Sequence, residues 1–153
     1  MHKLLFIIFM GFVLLGCDSK KGAFINTVKS QNDVPTAVAK LEKLIKAQGL
    51  THFQTIDHQA NAKAVKLDLK PQTLVVFGNP KMGTILMKCN SSMGLDLPLR
   101  LLFTTNYEGY TTISYTNPEY WSLKHNIKDK NCLSIINKAK MALQHLAEEA
   151  GKK

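Results

Sequence analysis

One apolar run, followed at once by three turn residues, constrains the fold of this 153-residue chain more than any other feature. The run from Thr73 to Phe77 is typical of a strand that is buried on both faces and lies inside a sheet. Gly78 ends the run, and Asn79-Pro80 is the cap and first-turn pair of a helix. The chain is therefore expected to turn from a central strand directly into a helix.

The helices are predicted from apolar residues at helical spacing and from residues that start and stop helices. Asp33 and Pro35 start a first helix, which Gly49 stops, and Asp57 caps a short second one. The longest helix runs from about Asp129 to Ala150. Its apolar stripe consists of Cys132, Ile135, Ile136, Ala139, Leu143 and Leu146.

Four further segments are predicted as strands from β-branched and aromatic residues or from alternation: 24–28, 51–56, 97–104 and 110–116. A turn around Gly109 joins the last two into a hairpin. Thr111, Ile113 and Tyr115 alternate with polar residues, so one face of that strand should be buried. These elements predict an α+β fold in which an antiparallel sheet of about five strands is packed on one side by helices.

The N-terminal segment predicts export. A basic Lys3, an apolar run over 4–15 and the tetrad Leu14-Leu15-Gly16-Cys17 have the form of a secretory signal, and the tetrad resembles the bacterial lipobox. That resemblance implies that Cys17 is acylated and begins the mature protein. The run is shorter than the roughly 20 residues that span a bilayer. The expected division is a signal peptide over 1–16, a lipidated anchor and linker over 17–22, and a single α+β domain over 23–150.

A lipid anchor at Cys17 predicts a protein of the cell envelope that is held at a membrane and faces the periplasm or the outer surface. Asp18 resembles the inner-membrane retention signal of enterobacterial lipoproteins. Lys20 and Lys21 either attract acidic lipid headgroups or simply solubilise the linker. The net charge of +9 is spread along the chain, and a protein outside the cytoplasm has little access to nucleic acid. No nucleic-acid partner is therefore expected.

Cys89 and Cys132 are the cysteines that remain once Cys17 is acylated. An extracytoplasmic setting permits them to pair. Both also lie on apolar stripes, and free cysteine is among the most buried residue types. Because pairing requires Cα atoms within about 7 Å, a distance that a sequence does not give, we favour two unpaired core residues.

Gly78-Asn79-Pro80-Lys81 is the candidate ligand site. A helix start at a strand end offers free N–H groups and a positive helix terminus to a small anion, and Lys81 adds charge. His58, Asp96 and Arg100 would line the same cleft. The alternative is a turn chosen only for its geometry. Asp96 and Arg100 are then expected to pair with each other across a surface strand.

A second candidate site is a soft-metal or haem site. Met82, Met87, Cys89 and Met93 would suit Cu(I) or haem iron, with His58 or His125 as a further ligand. Three of these sulfur residues share a helical stripe that should face the core, and Met and Cys are common core fillers. No cofactor is therefore predicted.

No motif in the sequence predicts an enzyme. Gly-x-Ser-x-Gly, His-Glu-x-x-His and phosphate-cradling glycine motifs do not occur. Asp57-His58 would suit a carboxylate and a base, but Asp57 is favoured as a helix cap. The sequence predicts a non-catalytic domain that binds a small ligand or serves as an accessory module.

Several stretches together resemble the bacterial family called domain of unknown function three hundred and two. They are Phe53-Gln54-Thr55-Ile56-Asp57-His58-Gln59-Ala60, Val76-Phe77-Gly78-Asn79-Pro80-Lys81-Met82-Gly83-Thr84 with Leu86-Met87, Asp96-Leu97-Pro98-Leu99-Arg100, and Tyr115. The resemblance covers roughly residues 23–147. It implies the β-α-β4-α arrangement of TATA-binding-protein-like domains with additional short helices, and a homodimer. The family carries no established enzymatic activity, so the resemblance implies a fold and leaves the function open.

Overall fold

The computed structural model describes residues 24–153; the predicted signal peptide, Cys17 and the linker lie outside the described residues. The strands are β1 (Ile25–Lys29), β2 (Thr51–Asp57), β3 (Gln72–Gly78), β4 (Leu99–Thr105) and β5 (Thr111–Thr116). The α-helices are α1 (Val34–Ala47), α2 (His58–Ala64), α3 (Pro80–Cys89), α4 (Glu119–Lys124) and α5 (Lys130–Gly151), and a 3₁₀ helix spans Ser91–Leu95. The predicted α+β fold is confirmed.

All five strands form one antiparallel sheet in the order β1-β5-β4-β3-β2. The prediction that β3 lies inside the sheet is confirmed, because β2 and β4 flank it. The predicted burial on both of its faces is only partly correct. Val75 and Phe77 are fully buried, whereas Leu74 and Val76 on the opposite face are half-buried. The main helices pack on the first face alone.

The main core lies between that inner face and two long helices. Its members from the sheet are Val75, Phe77, Leu101, Phe103, Ile113 and Tyr115, and those from α1 and α5 are Val34, Ala37, Leu41, Ile45, Leu143, Leu146, Ala147 and Ala150. Full burial of each large apolar side chain contributes about 1.5–3 kcal/mol. Asp33 caps α1 by accepting the Thr36 N–H at 3.0 Å, as the sequence predicts.

A second core lies along the N-terminal half of α5, against α3, the 3₁₀ helix and α4. It contains Leu86, Met93, Trp121, Ile127, Cys132, Ile135 and Ile136. The predicted helical stripe from Met82 to Met93 is interrupted, because Asn90 has extended backbone and its side chain caps the 3₁₀ helix. Met93 still reaches the core, but from a separate short helix.

Cys89 and Cys132 form a disulfide, with their Cα atoms 6.7 Å apart. The expectation of two unpaired cysteines is therefore wrong. The end of α3 comes to lie beside the first turn of α5, and only the packing of the two helices creates that proximity. Cys132 is fully buried and Cys89 is exposed. Within residues 24–153, no helix is both long and apolar enough to cross a membrane.

Candidate functional site

An apolar cavity of about 480 Å³ lies at the strand-to-helix turn where β3 leads into α3. Its walls come from the start of β2, from α3, from the connection that leads into β4, and from α5. The apolar lining residues include Phe53, Met82, Leu86, Met87, Leu97, Pro98, Ile135, Ala139 and Ala142. The volume falls within the range of about 300–1,000 Å³ typical of small-molecule sites.

Small residues create this space. Gly83 and Gly94 line the cavity, and a Cβ at these positions would lie 3.7 Å from Leu97 Cδ1 and 3.6 Å from Met87 Sδ. Ala139 and Ala142 line it from α5. Each lies one helical turn before a large core residue, Leu143 and Leu146 respectively. Longer side chains at these positions would extend into the cavity, so it is a property of this sequence as well as of the fold.

Three polar side chains line the cavity. Asn79 caps α3, accepting the Met82 N–H at 3.2 Å, and Thr84 donates to the Pro80 carbonyl at 2.8 Å. Lys138 is exposed, and within residues 24–153 it forms no ion pair with an acidic group. No Asp or Glu is found among the lining residues. The local charge of the cavity is therefore positive.

The predicted ligand residues do not all meet there. Asn79 lines the cavity, and Lys81 is exposed two residues further on. His58 begins α2, at the other end of the β2–β3 pair. Because Thr51 pairs with Gly78 and Asp57 pairs with Thr73, His58 and Asn79 lie a strand's length apart, about 20 Å. The predicted grouping of these two residues is not found.

Asp96 and Arg100 border a different feature. They share a depression of about 20 Å³ with Leu99, Thr116, Trp121 and Leu143. The expected ion pair between them is absent from the described residues, since Asp96 accepts hydrogen bonds from Lys124 and His125. Desolvation opposes ionisation of Asp96, but the hydrogen bonds from His125 and Lys124 outweigh it and lower the pKa of this carboxyl below its usual value.

The structure also brings together a serine, a histidine and an aspartate that no local sequence pattern links. Ser92 Oγ lies 2.6 Å from His125 Nδ1, and His125 Nε2 lies 2.5 Å from Asp96 Oδ2. His125 is only 3% exposed. Ser92 and Asp96 are at the two ends of the 3₁₀ helix and His125 follows α4, so only the tertiary structure reveals the alignment.

The sulfur residues do not form the alternative metal site. Cys89 is oxidised in the disulfide, Met93 is buried in the second core, and Met82 and Met87 line the apolar cavity. Cys89, Cys132 and the cap Asp129 place potential ligand atoms within 4.8 Å of one another. The metal ligand from cysteine is the thiolate, and the disulfide removes both thiolates.

These observations define the described part of the chain as an α+β domain with an apolar, positively charged cavity beside a strand-to-helix turn. The family model "Domain of unknown function DUF302" matches residues 26–150, and the chain belongs to this family. The crystal structure of an uncharacterized conserved DUF302 protein from Bacillus stearothermophilus is similar, with a TM-score of 0.73 at 19% identity. The match covers 84% of this chain and 98% of that one.

Curated relatives share a part of this sequence. Proteins named fluoride-specific ion channel FluC 1, from Brucella suis biovar 1 and from Brucella abortus biovar 1, are each 34% identical over 101 residues. The matched region covers 66% of this chain but 40% and 37% of those relatives. The chain therefore spans less than half the length of the curated relatives it matches.

Proposed function

We propose that this chain is a lipid-anchored envelope protein whose domain binds a small amphipathic anion, with an apolar body in the cavity and an acidic head beside Lys138. The cavity of about 480 Å³ carries the proposal. Its walls are apolar, its rim has a lysine, and no carboxylate lines it. Apolar walls with a few polar groups are the usual composition of small-ligand sites.

The apolar walls would supply most of the affinity. A ligand that buries about 200 Å² of apolar surface gains about 5 kcal/mol from transfer out of water. An ion pair with an exposed lysine adds about 1 kcal/mol or less. Since association itself costs free energy, we expect a dissociation constant no tighter than about 10 µM.

A matched pair of fluorescent probes tests both parts of the site. Anilinonaphthalene sulfonate is an apolar ring system with an anionic head, and N-phenyl-1-naphthylamine is the same ring system without the charge. Both should bind the protein. Ala142→Phe, which fills the cavity from α5, should weaken both by at least 10-fold, whereas Ala64→Phe on the exposed α2 should weaken neither.

Lys138→Met distinguishes the contribution of the acidic head group to binding from that of the apolar body. It should weaken the sulfonate probe about fivefold and leave the uncharged probe unchanged, in keeping with about 1 kcal/mol for an exposed pair. Circular dichroism should show that each variant is folded. Equal binding of both probes to wild type and Ala142→Phe protein would refute the cavity as the site.

The anchor is tested at Cys17. Leu14-Leu15-Gly16-Cys17 supports lipidation, and several acyl chains hold a protein durably at a bilayer. The matching relatives are named as ion channels, which supports a place at a membrane for this chain. Radiolabelled palmitate should enter the wild-type protein and not Cys17→Ser. A Cys17→Ser protein that stays fully membrane-bound after normal processing would contradict the proposal.

A further inference from the structure

Ser92, His125 and Asp96 form a continuous hydrogen-bonded line that the proposed ligand site does not use. The link from Ser92 to His125 measures 2.6 Å between heavy atoms, at the short end of the range in which a nucleophile and its base interact, and the link from His125 to Asp96 measures 2.5 Å. Ser92 is half-buried at the surface end, and His125 is shielded behind it. A hydroxyl on one ring nitrogen and a carboxylate on the other is the relation that activates a serine; here Nδ1 faces the serine and Nε2 the carboxylate, the reverse of the usual assignment of the two nitrogens.

The neighbouring groups determine which nitrogen of the neutral ring carries the proton. Asp96 is ionised and also accepts from Lys124 at 3.1 Å, so His125 Nε2 carries a proton toward the carboxylate. Nδ1 of the neutral ring is then an acceptor for the Ser92 hydroxyl, in competition with Asn90 Oδ1, which lies 2.8 Å from the same oxygen. The side-chain amide of Asn90 also donates to the His125 carbonyl at 2.8 Å, which holds the residue in place.

The network accommodates both charge states of the imidazole. When the ring is neutral, the Ser92 hydroxyl donates to Nδ1. When the ring is protonated, Nδ1 donates to Ser92 Oγ, and the hydroxyl turns to Asn90 Oδ1, which lies 2.8 Å away. A general base must accept a proton and hold it during the reaction, and the protonated ring keeps a partner on each nitrogen, Ser92 Oγ on Nδ1 and Asp96 on Nε2.

We propose that Ser92 is the nucleophile of an acyl-transfer site that takes activated carboxylic esters, with His125 as its base and Asp96 as the residue that positions and stabilises the ring. Ser92 Oγ attacks the carbonyl carbon while its proton passes to His125 Nδ1. The bond from that carbon to the leaving oxygen then breaks, and the leaving oxygen takes the proton. Water repeats the sequence, releases the acid and restores the hydroxyl. The site is independent of the apolar cavity.

A fluorophosphonate probe tests the proposal on the full-length protein purified in mild detergent. Attack by Ser92 Oγ forms an O–P bond and expels fluoride, and peptide mass spectrometry locates the adduct. The adjacent Ser91 is exposed and outside the network, so it is an internal control within the same protein. We expect labelling at Ser92 to exceed that at Ser91 by at least 100-fold.

Variants then assign the roles. Ser92→Ala should lose the label and Ser91→Ala should keep it, while Asp96→Asn, which keeps the shape of the side chain, should slow labelling by about 100-fold or more. If circular dichroism shows that Asp96→Asn is unfolded, the ratio of Ser92 to Ser91 labelling in the wild-type protein tests the proposal by itself. An unlabelled wild-type protein, equal labelling of the two serines, or a folded Asp96→Asn protein that reacts at the wild-type rate would each overturn the proposal.

Discussion

Asp96 combines partial burial with hydrogen bonds from His125 and Lys124, so its carboxyl gains and loses a proton at a different pH in the folded and the unfolded chain. Because the folded protein lowers the pKa of this carboxyl below the ordinary value of 3.8, the unfolded chain takes up its proton at a higher pH than the folded one. The stabilisation is therefore fully present above about pH 4 and is lost as the pH falls through the folded pKa.

We expect this linkage to appear in urea unfolding measured between pH 6 and pH 3. The wild-type free energy of unfolding should fall more steeply in the acid part of that window than that of Asp96→Asn, which has no carboxyl to protonate. Asp57→Asn, which removes a carboxyl from the exposed cap of α2, is the control variant. Parallel profiles for wild type and Asp96→Asn would show that the contacts of Asp96 with Lys124 and His125 do not stabilise the fold.

The disulfide joins two helices that both line the apolar cavity, α3 and α5. Cys89 and Cys132 are 43 residues apart in sequence, and closure of a loop of that length stabilises a fold by about 4 kcal/mol in the chain-entropy model. We expect reduction to lower the free energy of unfolding by about 2–4 kcal/mol and to weaken probe binding in the cavity.

A thiol count under denaturing conditions checks the disulfide before any stability is measured. The unreduced protein should yield no free thiol from Cys89 or Cys132, and reduction should release two. Cys89→Ser is a gentler variant than Cys132→Ser, because the exposed position tolerates a hydroxyl while the fully buried one does not. Two free thiols in unreduced protein would refute the pairing.

Local signals predicted the elements well and their assembly poorly. Asp33, Asp57 and Asn79 each cap the helix that the sequence assigns to them, because a cap depends on residues three positions away. The strand segments agree with the observed ones within about two residues. The break at Asn90 was missed because the apolar stripe continues through it at helical spacing.

The candidate site is built from residues that are far apart in the sequence, and the sequence predicted only some of them. Asn79 was found from a local turn pattern. The cavity beside it required the small residues of α5 to face α3, and the partnership of Ser92 with His125 joins two elements that only the folded chain brings together. Periodicity gives the face on which a residue lies, but not the element that packs against that face.

The sheet presents a second face that α1 and α5 do not cover. Register places Leu74, Leu102 and Ser114 in one row across it, and Ser114 hydrogen-bonds Thr27 of the edge strand at 2.8 Å. Leu74 and Leu102 are only half-buried in a single copy. A homodimer, which the family resemblance implies, would have an apolar centre with a hydroxyl-rich border if it formed through this face.

We expect light scattering after size exclusion to give twice the mass of one chain for the wild type. Leu102→Lys should give the mass of one chain, because a dimer would bury the new charge at the centre of the face without a partner. Tyr107→Lys, which places the same charge on the highly exposed turn between β4 and β5, is the control and should remain dimeric. A wild-type protein of single mass at 100 µM would refute the dimer. A dimer that Leu102→Lys leaves intact would place the interface elsewhere, because a lysine at the centre of this face would have to lose its hydration for two copies to meet there.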